Sequence, residues 1–229
     1  MGNHQTNQSG RKSSKVSDVR LWGLLLVGVL LCGLSFFGDQ VVIQWVKTHD
    51  SKSLRDLAGF LSRWGDWPEL MLYGCLGLGF AWLARSRVVC RLLLCMMIAS
   101  SISGAVVDSV RLLTGRARPN NLEATKEWNG LWRGHELLLY KNKYHSFPSG
   151  HTSSAFGYFG ILLFWDRRRG QWALLIAAAI GWSRIYLNVH HLSDVIVGAL
   201  VGLVAAFFVW ERLAPRVERF LESIFATRK

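Results

Sequence analysis

Cysteine is scarce. The 229-residue chain has four, Cys32, Cys75, Cys90 and Cys95, all inside apolar stretches and none at metal-ligand spacing. That excludes a disulfide framework and leaves no metal site, and no cofactor is expected. Acidic residues are also few, 15 against 27 lysines and arginines, for a formal charge of +12. The basic surplus is spread over loops rather than aligned on one face, and nothing resembles a groove-reading module. Nucleic acid is therefore excluded as a partner, and an anionic membrane surface is the better counterpart. No small-x-small cleavage site follows the first apolar run, which reads as a retained anchor rather than a signal peptide. The length leaves no room for a second, soluble domain, and no obligatory protein partner is evident.

Apolar residues are abundant instead, at 51% of the chain. Six runs approach the ~20 residues needed to cross a bilayer: 21–37, 68–85, 88–113, 149–165, 171–188 and 192–211. Tryptophans near run ends (Trp22, Trp64, Trp67, Trp165, Trp172, Trp210) resemble interfacial belts. The expected fold is all-α, an integral membrane bundle of six transmembrane helices with short interfacial helices in 39–67. Residues 1–20 are expected to be a disordered cytoplasmic tail, 21–212 the membrane domain and 213–229 a cytoplasmic C-terminal tail. Arg11, Lys12, Lys15 and Arg20 before the first run place the N-terminus inside by the positive-inside rule. Arg85, Arg87 and Arg91, then Arg167 to Arg169, then Arg212, Arg216, Arg219, Arg228 and Lys229 fall inside with it. Regions 38–67, 114–148 and 186–193 are left outside.

Polar residues of catalytic type sit at the ends of these runs. Between the last two lie Ser183, Arg184, His190, His191 and Asp194. Ionisable groups at such depth are costly and by default functional. On a helix His190 and Asp194 would share one face, and a carboxylate beside an imidazole fixes its tautomer. The bland reading is a polar helix end at the interface. Arg111 and Arg118, the latter followed by Pro119, would align over two turns and could fork onto a phosphate, or simply snorkel to headgroups. Pro148-Ser149-Gly150-His151 opens a run whose unpaired N–H groups suit an anion, with His151 placed to deliver a proton. Alone, it could be an ordinary helix start with a chance histidine.

Taken together and in order, Arg-x6-Arg-Pro, Pro-Ser-Gly-His and Ser-Arg-x5-His-x3-Asp resemble the three signature motifs of the type-2 phosphatidic acid phosphatase superfamily. The resemblance covers the third to the sixth run. It implies His190 as the nucleophile that forms a phosphohistidine, Asp194 as its orienting carboxylate, and His151 as the acid on the leaving oxygen. Arg111, Arg118, Ser149, Gly150 and Arg184 would hold the phosphate oxygens, without metal. The family's first motif usually begins with lysine; here Arg111 stands there. Family spacing selects His190 over His191, which lies three residues from Asp194. His145 could touch substrate, and Asp108 could pair with Arg111 or make a polar contact inside the bundle. Gly198 and Gly202 read as helix packing.

The resemblance implies a membrane phosphatase acting on a phosphorylated lipid: lipid A, undecaprenyl diphosphate or phosphatidylglycerol phosphate. A phosphotransferase passing the phosphoryl group to a lipid acceptor would use the same motifs. A transporter with a proton or anion relay would not require them. Small size and short loops suit a bacterial inner membrane, with both termini cytoplasmic and the active site periplasmic. The 115–147 loop, with Trp128, Trp132, Arg133, Lys141 and Lys143, reads as a basic, aromatic lid that would select a multiply charged headgroup such as lipid A or undecaprenyl diphosphate.

Overall fold

The computed structural model describes residues 8–226 of the chain, with side chains from Leu26 onward. Each apolar run becomes a helix: α1 (Gln8–Thr48), α3 (Trp67–Leu83), α4 (Arg87–Thr114), α5 (Gly150–Trp165), α6 (Arg167–Tyr186) and α7 (Leu192–Phe208). A single amphipathic helix, α2 (Lys52–Trp64), follows α1 and packs on α6. Among the described residues, three helical stretches are long and apolar enough to cross a membrane: 26–48, 87–114 and 192–226. The exposed flank of α1 (Leu26, Val27, Leu30, Leu31, Leu34, Phe37) is a surface suited to lipid rather than water.

Caps explain most boundaries. Ser51 accepts from the Leu54 N–H to start α2, and Asp66 accepts from the Trp67 N–H to start α3, with Pro68 in its first turn. Asp166 ends α5 and immediately caps α6, accepting from the N–H groups of Arg168 and Arg169. Gly115 stops α4 in a left-handed conformation at φ 55°. A side chain there would collide with the Gly130 carbonyl, 1.9 Å from its Cβ.

Several elements differ from expectation. Helix α1 begins at Gln8, continuous with the first apolar run, while residues 1–7 of the expected tail lie outside the described residues. The stretch after 212 is helical to Ala226: α7 passes through a π-turn at Val209–Leu213 into α8 (Ala214–Ala226). That last helix is amphipathic. It buries Leu221 beside Ala81 and Cys90, and Glu218 pairs with Arg91 of α4. The bundle is helical, as expected, and the 114–148 region adds one small element to it: a two-stranded antiparallel hairpin, β1 (Trp132–Arg133) and β2 (Glu136–Leu137), turned at Gly134 with φ 62°.

Helix α5 is the centre of the bundle, packed against α4, α6 and α7. Its small residues allow the close approach expected between membrane helices. A Cβ on Gly157 would lie 2.9 Å from the Ala99 carbonyl of α4. On the α7 side, a Cβ on Gly202 would lie 2.5 Å from the Ser153 carbonyl, and on Gly198 2.7 Å from that of Ser149. Around these contacts lie Met96, Ala155, Tyr158, Ile161, Ala177, Ile180 and Ala206. Gly202→Val should separate α5 from α7 and cost about 1–3 kcal/mol or more. Thermal unfolding in detergent should reveal a marked loss. Gly33→Ala, at a position with nothing within 4 Å, should leave the transition where it is.

Candidate active site

The polar residues gather at one end of the bundle because the helices alternate in direction. The C-terminal ends of α4 and α6 meet the N-terminal ends of α3, α5 and α7 there. The Ser149 N–H donates to the Asp194 carbonyl at 3.0 Å, joining the starts of α5 and α7. Arg111 donates from Nη2 to the Pro148 carbonyl at 3.5 Å, and its guanidinium lies over Gly150. A Cβ on Gly150 would be 2.3 Å from that Nη2, so a larger residue there would displace the Arg111 guanidinium.

His190 and Asp194 do not share a helix face. Helix α6 ends at Tyr186, Asn188 turns the chain with φ 56°, and the N–H groups of Val189 and His190 fold back onto the Arg184 carbonyl at 3.2 and 3.3 Å. Helix α7 starts two residues after His190, with the Asp194 carboxylate accepting from the His191 N–H at 2.8 Å. His190 therefore sits in the turn, with Nδ1 3.5 Å from Asp194 Oδ2. Its shorter contact is 2.8 Å, from Nδ1 to the Ser146 carbonyl. A carbonyl can only accept, so Nδ1 carries the proton and Nε2 keeps its lone pair. Burial holds the imidazole pKa down at about 4, against the upward pull of Asp194. His190 is a neutral, oriented imidazole at ordinary pH, with its Nε2 lone pair free.

His191 Nδ1 lies 3.2 Å from the same Oδ2, so the carboxylate serves both histidines. The Ser146 hydroxyl donates to it at 2.5 Å, so the residue whose carbonyl holds His190 is itself tied to Asp194. His145 Nε2 is within 3.1 Å of the Leu138 carbonyl and braces the loop.

Arg111, Arg118 and Arg184 form the cationic part of the site. Each has a buried Nε atom with no hydrogen-bond partner in the protein. A buried, unpaired N–H is costly, and three on guanidinium groups mark a place for an anion. Arg118 has left the helix, since α4 ends at Thr114. Its N–H donates to the Lys143 carbonyl at 2.9 Å, and burial, then the charge of Arg111, lower its pKa. Asp108 pairs with Arg111 at 3.1 Å, and Ser62 of α2 accepts from Arg184. Ser149 Oγ accepts from Thr152 at 2.9 Å and keeps its own proton to donate. His151 Nε2 faces Asp66 Oδ2 at 3.4 Å. Burial raises the Asp66 pKa, partly offset by its bond from the Trp67 N–H.

Arg116, Asp39, Ser146, Asp66 and Ser62 were missed by motif reading. Asp66 was detectable as the acid just before Trp67-Pro68, and Arg116 as the third arginine of the Arg111–Arg118 stretch. Asp39 and Ser62 carried no signal. The basic lid also changes character. Lys143 pairs with Glu123 at 3.0 Å, Lys141 pairs with Glu136, and Arg133 donates to the Tyr144 hydroxyl at 2.5 Å. The cations are engaged inside the loop. Leu122 (94% exposed), Tyr140 (90%) and Trp132 (58%) form its outer surface.

The chain is similar to known proteins over its core. The family model of the PAP2 superfamily matches residues 88–217. Lipid phosphate phosphatase 1 of Saccharomyces cerevisiae is 27% identical over 139 residues, covering 52% of this chain and 51% of that protein. The chain spans about half the length of the curated relatives it matches. Aquifex aeolicus LpxE superposes with a TM-score of 0.57 at 24% identity, over 76% of this chain and 94% of its own. A transmembrane PAP2-type phosphatidylglycerolphosphate phosphatase from Bacillus subtilis gives 0.59 at 20% identity, over 88% and 96%. At such identities the structural likeness establishes the fold.

Orthovanadate, a tetrahedral oxyanion that expands to five ligands, should bind where the three Nε atoms converge. Replacing Arg111, Arg118 or Arg184 by Ala should each weaken it by about tenfold or more, the scale of one charge-assisted hydrogen bond. Vanadium NMR titration of the purified protein would measure this.

Proposed function

Because the chain belongs to the PAP2 superfamily, we propose that it is a membrane lipid phosphatase that hydrolyses a phosphate ester or diphosphate of an anionic lipid through a phosphohistidine on His190. The observation that carries this reading is the pairing of an imidazole, held with Nε2 unprotonated by the Ser146 carbonyl, with three buried arginine Nε groups that have no protein acceptor.

In the first step the His190 Nε2 lone pair forms a P–N bond as the P–O bond to the lipid breaks. His151 gives its proton to the departing oxygen, so the lipid leaves as a neutral alcohol, or from a diphosphate as a protonated monophosphate. In the second step water attacks phosphorus, its proton passes to His151, and the P–N bond breaks to release phosphate and neutral His190. Arg111, Arg118 and Arg184, with the Ser149 hydroxyl and Gly150 N–H, take the equatorial oxygens, where charge accumulates. Asp194 offsets the positive charge that His190 acquires when it bonds phosphorus.

The six-span topology, with both termini cytoplasmic and the site on the periplasmic face of a bacterial inner membrane, belongs to this proposal. It is supported by the positive-inside distribution of arginine and by all catalytic groups lying at one end of the bundle. Lipid A, undecaprenyl diphosphate and phosphatidylglycerol phosphate are the substrates to compare. Since the lid cations are already paired, the loop recommends none of these headgroups by charge.

Phosphate release should be assayed on phosphatidic acid, phosphatidylglycerol phosphate, undecaprenyl diphosphate and lipid A, with chelator throughout. Release from at least one lipid is expected, abolished in His190→Ala. Asp194→Asn should bind substrate nearly normally but turn over at least about 100-fold more slowly. A His190→Ala protein with full activity would falsify the assignment. Label moving between lipids without phosphate release would mark a phosphotransferase. The nucleophile must be neutral and its pKa is depressed to about 4. Turnover should therefore persist as pH falls through 6.5, the ordinary histidine value, and fail only as His190 protonates at lower pH.

A further inference from the structure

The reaction scheme leaves Arg116 unused, although its side chain is only 1% exposed. Its guanidinium is engaged on every side. Nη1 donates to Asp194 Oδ1 at 2.6 Å and to the Ser193 hydroxyl at 2.7 Å. Nη2 donates to Asp39 Oδ2 of α1 at 2.6 Å and to Glu127 Oε1 at 2.5 Å, and Nε reaches the same Glu127 oxygen at 2.8 Å. The rings of Trp128, Phe36 and Phe147 enclose the cation, with centroids at 4.6, 5.4 and 5.8 Å. Asp39 in turn accepts from the Ser193 N–H at 2.8 Å and its hydroxyl at 2.6 Å, so one carboxylate fixes both the guanidinium and the start of α7.

This arrangement divides Asp194 between two tasks. Oδ1 faces Arg116. Oδ2 is left for the Ser146 hydroxyl, the His191 N–H and the two imidazoles at 3.2 and 3.5 Å. Without a donor on Oδ1 the carboxylate would be free to rotate, and its whole charge would act on the histidines. We propose that Arg116, anchored by Asp39, is a positioning residue for the phosphoryl transfer: it holds Asp194 with Oδ2 toward His190 and withholds part of the carboxylate's charge from the imidazole. The inference rests on the reading of His190 as nucleophile.

The charged and titratable groups around this pair come from every neighbouring element. They are Asp39 from α1, Arg111 from α4, Arg116, Arg118 and Glu127 from the α4–α5 loop, His151 from α5, Arg184 from α6 and His191 beside α7. The signs of the two decisive changes are opposite. Losing the Arg116 cation raises the affinity of His190 for a proton, so the acid limb of turnover moves to higher pH. Losing the Asp39 carboxylate removes negative charge and concentrates Arg116 on Asp194, so the limb moves to lower pH. A role confined to folding would change the yield of enzyme and leave the limb in place.

The test is the pH profile of kcat and KM on phosphatidic acid in mixed micelles for wild type, Arg116→Gln, Arg116→Lys, Asp39→Asn and His190→Ala, each scaled to its folded fraction. For Arg116→Gln we expect kcat to fall about tenfold or more with KM within about threefold, and the acid limb to move up by at least about half a pH unit. Arg116→Lys should return the limb close to the wild-type position but restore turnover only in part, since an ammonium cannot fork between two carboxylates. Asp39→Asn should shift the limb down. Limbs unmoved in both Arg116→Gln and Asp39→Asn, or in Asp39→Asn alone where Arg116→Gln does not fold, would overturn the assignment while leaving His190 in place. Full turnover by His190→Ala would instead remove the nucleophile reading, and the role of Arg116 with it.

Discussion

The Asp194 carboxylate is the constraint on which the rest of the site depends. It is fully buried at the start of α7, where an ion without partners would cost several kcal/mol. Arg116, the Ser146 hydroxyl, the His191 N–H and two imidazoles surround it. Satisfying that one carboxylate draws together the α4–α5 loop, the α6–α7 turn and, through Asp39, helix α1. The geometry of His190 follows as a consequence. Its ring is held by the carbonyl of the residue whose hydroxyl is spent on Asp194. Orientation reaches the imidazole by two routes, a direct contact at 3.5 Å and a shorter one through Ser146.

On the arginine side of the site the balance is reversed. Arg111, Arg118 and Arg184 crowd together, and their Nε groups have no protein acceptor. Mutual repulsion and desolvation make this a strained arrangement in the absence of an anion. A doubly charged phosphate relieves both penalties, and an oxygen gaining charge in the transition state relieves them further. Asp108, Ser62 and Asp66 hold two of the arginines and His151 at the rim without neutralising the centre. Close helix packing supports this arrangement: Gly157 of α5 lets α4 approach, and Gly198 and Gly202 of α7 let that helix close on α5.

Local patterns in the sequence were informative to the extent that the contacts are local. The six apolar runs all became helices, and the three short motifs met at one end of the bundle because alternating helices must return there. The reasoning failed at finer scale. His190 and Asp194 were placed on one helix face by their spacing, whereas Asn188 turns the chain and His190 precedes the helix. Arg116 and Asp39 escaped notice because their partnership spans 77 residues and leaves no periodic trace. The lid was misjudged for a related reason. Counting Arg133, Lys141 and Lys143 as free charge ignored the acids and the tyrosine that the loop folds against them.

That correction changes what the loop can contribute. With its cations engaged internally, it turns Leu122, Trp132 and Tyr140 outward. Aromatic and aliphatic groups at this level suit the boundary between headgroups and hydrocarbon. The loop is therefore better fitted to rest on the bilayer surface than to read a headgroup. Under the proposed function, phosphate recognition falls to Arg111, Arg118 and Arg184. Such a division asks little of the lipid beyond a phosphate on a membrane anchor. Any discrimination among lipids would then come from the space between the loop and the α2–α3 corner, where Asp66 and His151 face the departing group.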